Sequence, residues 1–158
     1  MAKTEQFLRE AFSGESQANR KYLAFAAKAD QEGFPQAARL FRAAAEAETV
    51  HAHNHLRALN GIRSTKENLE EAVSGETHEF KEMYPEMIEA ARAEGQKAAE
   101  RSFDFANSVE KVHAQLYQHL LDDLTHIPPA LTGRWTDHGC RFAAPRDQHF
   151  LPLRHFVE

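Results

Sequence analysis

Five glutamates of this sequence fall where a helical chain places its core. Glu15, Glu48, Glu76, Glu79 and Glu110 sit inside apolar stripes of helical period, and His51 and His113 sit with them. A carboxylate removed from water is costly unless it is paired, protonated or bound to a metal. One such residue could turn outward at a helix edge. Five, spread over every helical segment, require a common partner.

The stripes define four segments. The first runs from about Thr4 to Gln31, with Leu8, Ala11, Phe12, Ala18, Tyr22, Phe25, Ala26 and Ala29 on one face. Gly33-Phe34-Pro35 ends it and starts the second, which runs to about Leu59 through Phe41, Ala45, Ala52, His55 and Leu56 and stops at Asn60-Gly61. Ser64 and Glu67 form a capping-box pattern for the third. Its stripe continues through Leu69, Val73, Phe80, Met83, Met87 and Ala90, with a kink expected at Pro85. Gly95 turns the chain into the fourth, through Ala99, Phe103, Ala106, Tyr117 and Leu120, which closes before Pro128-Pro129. Four long helices with short connections predict an all-α fold, a four-helix bundle over 1–124. Residues 125–158 are rich in Pro, Arg, His and Phe without a period and read as an irregular tail.

Charge and hydropathy exclude several classes. The net charge is -5, with both signs mixed and no basic block, so nucleic acid is not an expected partner. The stretch Met1 to Glu10 lacks the apolar centre of a signal peptide, and no apolar run approaches the ~20 residues of a membrane span. A cytoplasmic protein is the expectation. The single cysteine, Cys140, can form neither an intrachain disulfide nor a four-cysteine metal centre.

The spacing of the acids supplies the common partner. Glu48-Thr-Val-His51 and Glu110-Lys-Val-His113 are both Glu-x-x-His, and residues three apart share a helix face. About one such motif is expected by chance in a chain this rich in Glu and His, but here two fall on core faces of different helices. Glu15 and Glu79 add one carboxylate each from the first and third helices. Two single glutamates plus two Glu-x-x-His pairs are the donor set of a two-iron or two-manganese bundle. His53 reads as a surface residue and His55 as a group behind the ligands.

The stretches Gly-Glu15-Ser-Gln-Ala-Asn-Arg, Ala-Glu-Ala-Glu48-Thr-Val-His51, Gly-Glu76-Thr-His-Glu79-Phe, Met-Tyr84-Pro and Val-Glu110-Lys-Val-His113 together resemble the rubrerythrin family, over about Lys3 to Leu124. The resemblance implies a ferritin-like fold and a non-haem di-iron peroxidase that reduces hydrogen peroxide to water. It implies two Fe ions per site, with manganese or a mixed metal pair as alternatives. Glu76 matches the family's seventh ligand, between which and His51 one iron moves as the pair changes oxidation state. Tyr22 and Tyr84 match positions beside the metals, where their hydroxyls would bond ligand carboxylates or peroxide; the plainer reading is aromatic core. Many family members carry a rubredoxin domain, which one cysteine cannot build, so electrons are expected from an external donor such as rubredoxin. The alternative activities are ferroxidase-type iron handling, as in ferritins, and a helical interaction protein with vestigial ligands.

In ferritin-like bundles the second and third helices run in the same direction, which constrains the connection. Glu48 to Asn60 covers ~18 Å of helix and Thr65 to Glu76 ~17 Å. The link from Asn60 to Ser64 spans at most about 18 Å, too short to return along both. A homodimer that exchanges helix pairs between two chains resolves this. A third helix beginning later, near Glu71, would resolve it otherwise.

Overall fold

The structure is a computed structural model that describes residues 2–126, and all its regular structure there is helical. The elements are α1 (Lys3–Gln31), α2 (Pro35–Ala58), α3 (Thr65–His78), a π-helical turn (Glu79–Met83), α4 (Tyr84–Ala93) and α5 (Lys97–His126). The residues that flank the π turn keep right-handed helical dihedrals, so α3, the turn and α4 form one rod. The described residues thus form four helical rods, as anticipated above. The expected irregular tail lies outside the described residues, except that α5 continues to His126. No helix among the described residues is long and apolar enough to cross a membrane.

The turns form where the sequence permits a left-handed residue. Gly33 (φ 80°), Asn60 (φ 53°) and Gly95 (φ 70°) each follow a helix end. Around Asn60, the Gly61 N–H bonds Leu56 O at 2.9 Å and the Asn60 N–H bonds Arg57 O at 2.9 Å, which satisfies two carbonyls that the helix end leaves open. The same pair of bonds recurs at Gly33 and Gly95. The capping box is present: the Glu67 N–H donates to Ser64 Oγ, and the Ser64 N–H donates to the Glu67 carboxylate. Asn68 clamps the same corner, accepting from Arg63 N–H and donating to Arg63 O, both at 2.9 Å. The third helix therefore starts at Thr65, and the later start near Glu71 does not occur.

The helices pair as two hairpins. α1 and α2 close on a seam of Ala26, Ala29, Ala38, Ala45 and Ala52, all buried. Alanine lets the two backbones approach closely. Near the turn, Tyr22, Phe25 and Phe41 pack ring on ring, with centroids 5.6–6.4 Å apart. The second hairpin sets α3 and α4 against α5, burying Leu69, Ile88, Ala91 and Ala114 and stacking Tyr84 on Phe103 at 6.3 Å. Among the described residues no large side chain is fully enclosed. Phe25, expected in the core, is 47% exposed, and Phe7, Val50, Phe105 and Val112 are also open. A pair of helices has only one seam, so apolar residues beside that seam stay uncovered until a second layer packs on them.

The π turn changes the phase of the third rod. Pro85 has no N–H for the carbonyl four residues back, and its ring crowds that carbonyl. The turn widens just upstream of Pro85, with the Tyr84 N–H bonding Glu79 O, five residues back. One extra residue is thereby taken into the helix. Glu76 and Tyr84 become effectively seven apart, within about 20° of one face. The stripe read from sequence, Met83, Met87 and Ala90, is displaced by one position: Ile88 and Ala91 are buried, whereas Met87 is 38% exposed.

Candidate metal centre

The acids and histidines come together as two clusters, one on each hairpin. Glu15 of α1 meets Glu48 and His51 of α2, and Glu76 of α3 meets Glu110 and His113 of α5. Within each cluster the donor atoms all lie within 4.8 Å of one another. The i, i+3 spacing holds each imidazole against its own helix's carboxylate: His51 Nδ1 is 2.9 Å from Glu48 Oε2, and His113 Nδ1 is 2.7 Å from Glu110 Oε2. His113 Nδ1 also stands 3.7 Å from Glu76 Oε2.

In the first cluster two carboxyl groups touch. The hydrogen bond to Glu48 raises the Glu15 pKa above its ordinary 4.5, with burial and the Glu48 charge adding to the effect. Glu48 moves the other way, because Glu15 and His51 both hydrogen-bond its anion. His55 is half-buried, and its charge opposes the rise at Glu15; His53 is exposed. A polar bolt lies one turn along. Asn19 Nδ2 donates to Ala45 O at 2.7 Å and to Thr49 Oγ1 at 2.8 Å, tying α1 to α2 beside Glu15 and Glu48. Sequence reasoning missed it; the available signal was a polar residue four positions after Glu15.

In the second cluster burial is the main cause of a raised Glu76 pKa, followed by its hydrogen bond and charge contact with Glu110. Tyr84 is half-buried above it. Burial first, then the charges of Glu110, Glu79 and Glu76, push its hydroxyl pKa above 10.0, so the phenol keeps its proton. Tyr22 is half-buried, its ring centroid 6.4 Å from that of Phe25 and 6.1 Å from that of Phe41.

Two features depart from the expected arrangement. The spacing paired Glu79 with Glu110 and His113 and left Glu76 as the extra ligand. The structure places Glu76 in the cluster and Glu79 outside it, half-buried at the first residue of the π turn. Both residues lie on one face, so spacing alone did not separate them. Nor do the seven groups meet in one place: among the described residues, the charge and hydrogen-bond partners of each cluster come from its own hairpin.

The donors fit a pair of divalent cations. Four carboxylates and two imidazoles of oxygen and nitrogen type suit iron or manganese. The crowding of Glu15 on Glu48, and of Glu76 on Glu110, concentrates negative charge that divalent cations would offset.

Residues 6–121 match the family model described as Rubrerythrin. The chain is 39% identical to Rubrerythrin-2 of Clostridium acetobutylicum over 135 residues, 77% of this chain and 73% of that protein. It is 33% identical to the Rubrerythrin of Nitratidesulfovibrio vulgaris, over 73% of this chain and 68% of that one. A solved structure of nigerythrin in a mixed-valence state shares 32% identity, covering 82% of this chain and 70% of that chain, with a TM-score of 0.41.

Proposed function

Because the chain belongs to the rubrerythrin family, we propose that residues 1–124 form a di-iron peroxidase that reduces hydrogen peroxide to water with electrons from an external donor such as a rubredoxin. The observation that carries this reading is the pair of Glu-Glu-His clusters, each with its donor atoms within 4.8 Å. Glu15, Glu48 and His51 would hold one ion, and Glu76, Glu110 and His113 the other. Iron is the expected metal, with manganese or a mixed pair as alternatives. The bound pair would polarise peroxide and supply two electrons to its O–O bond.

The residues around the ligands divide the remaining work. Glu79 falls outside the two donor groups although its charge reaches Glu76, so it, in place of Glu76, is the carboxylate available to exchange with His51. His51 suits that exchange because its side chain is 54% exposed. Tyr84 keeps its proton beside three carboxylates and can donate a hydrogen bond to an oxygen anion or to peroxide. Tyr22 acts as packing that holds α1 against α2.

Assembly belongs to the same reading. The link between α2 and α3 is short and clamped, and each hairpin leaves apolar residues uncovered. Two chains that exchange hairpins would cover those residues and set each cluster against its complement from the other chain. A stable monomer carrying a full complement of two irons would refute the exchange.

Stopped-flow oxidation of the reduced iron protein tests the activity. Peroxide should react at least about tenfold faster than dioxygen. Faster reaction with dioxygen, with iron retained as mineral, would select the ferroxidase reading instead.

A further inference from the structure

We infer that each helical hairpin is a complete single-ion site, so that a chain takes up its two metal ions in independent events, one per hairpin, before the ions are paired. This rests on the two-metal reading above but not on the peroxidase chemistry.

Each hairpin supplies three groups from two helices: Glu15 with Glu48 and His51, and Glu76 with Glu110 and His113. Three protein donors hold a divalent cation in many open metal sites, with water completing the shell. Neither hairpin borrows a donor from the other, and Glu79 is needed by neither.

Donors about 2.1 Å from one ion lie at most about 4.2 Å apart. The clusters already hold their atoms within 4.8 Å, so closing on an ion needs only small side-chain adjustments. The Glu48–His51 and Glu110–His113 contacts, at 2.9 and 2.7 Å, fix two donors of each set in advance. In the first hairpin the Asn19–Thr49 bolt also fixes the helix that brings the third. Little ordering remains to oppose binding.

Each cluster holds two carboxyl groups in contact, beside a neutral-capable imidazole. Fully ionised, the two carry a charge of minus two, which one divalent cation neutralises. The balance closes within each hairpin.

The test uses the full-length, metal-free chain under anaerobic conditions, with Mn(II) followed by electron paramagnetic resonance. At half an equivalent per chain the expected spectrum is that of isolated single ions. His113→Ala should retain one ion per chain, and His51→Ala likewise, each with affinity within about twofold of the wild-type site that remains. The double variant should retain none. Coupled-pair signals from the first aliquot, or loss of both ions in either single variant, would overturn the inference while leaving the two-metal reading intact. A wild-type chain that binds no ion would remove both. Circular dichroism checks that the variants stay helical, and the wild-type titration decides the matter if they do not.

Discussion

Asn19 on α1 donates its side-chain amide to the hydroxyl oxygen of Thr49 on α2 across 2.8 Å, and the Thr49 hydroxyl in turn donates to Ala45 O at 3.1 Å. Asn19 is one turn from Glu15, and Thr49 adjoins Glu48. The alanine seam alone is smooth and permits the helices to slide. The amide bolt sets the register at which the two carboxyl groups meet.

Removing that bolt should loosen both the hairpin and its ion. Asn19→Ala and Thr49→Val should each destabilise the fold by about 1 kcal/mol. Both should weaken ion binding at the first cluster while sparing the second. Thr49→Ser keeps the hydroxyl and should restore binding. Denaturant unfolding together with metal titration reads both effects.

Glu76 and Glu79 should separate in metal counting. Glu76→Ala removes a cluster donor and should cost the chain its second ion. Glu79→Ala should keep both ions and change how the protein responds to reduction. Elemental analysis of the purified variants, followed by stopped-flow kinetics, compares them. Loss of an ion in Glu79→Ala alone would reverse the assignment.

Stability of the metal-free protein should fall as pH rises. Glu15 and Glu76 have pKa values raised above 4.5 in the fold. A carboxyl raised in this way favours the folded state fully below its unfolded pKa, and the gain is lost as pH climbs through the folded value. The melting temperature of the apo chain should therefore decline as pH rises above 4.5, and Glu76→Gln should flatten part of the decline. Glu48, lowered in the fold, acts oppositely and only below 4.5. Loading with a divalent metal should release protons, which unbuffered titration detects.

Tyr84→Phe should keep the metals and slow the peroxide reaction by about tenfold or more. Its phenol is the one described hydroxyl held protonated among three carboxylates. An unchanged rate would assign Tyr84 to packing against Phe103.

Ser64→Ala should cost about 1 kcal/mol, because it removes the cap of α3. Thermal denaturation measures this.

Much of this was legible in the sequence, for local reasons. Asn60-Gly61, Ser64 with Glu67, and Glu-x-x-His are patterns whose meaning is complete within one helical turn or one helix end, and each appears as read. The π turn was not legible, because no residue type marks an added residue in a helix; Pro85 signalled a disturbance but not its form. In α4 the buried face moved by one position, hence Ile88 and Ala91 in place of Met87 and Ala90. Glu76 and Glu79 could not be ranked, since three residues of separation place both on one face. The Asn19–Thr49 contact joins positions thirty apart, beyond the reach of any periodicity.

The wide turn at Glu79–Met83 makes segment length, and not only residue identity, a constraint on this protein. Inserting a further residue there would rotate α4 by about 100° relative to α3, whereas deleting one would close the turn to ordinary α-helix with Glu76 and Tyr84 still on one face. With the insertion Tyr84 would leave the acids, and Ile88 and Ala91 would leave their seam, although every side chain was still encoded. Between Glu79 and Tyr84 a single-residue deletion can therefore be absorbed, but a single-residue insertion cannot.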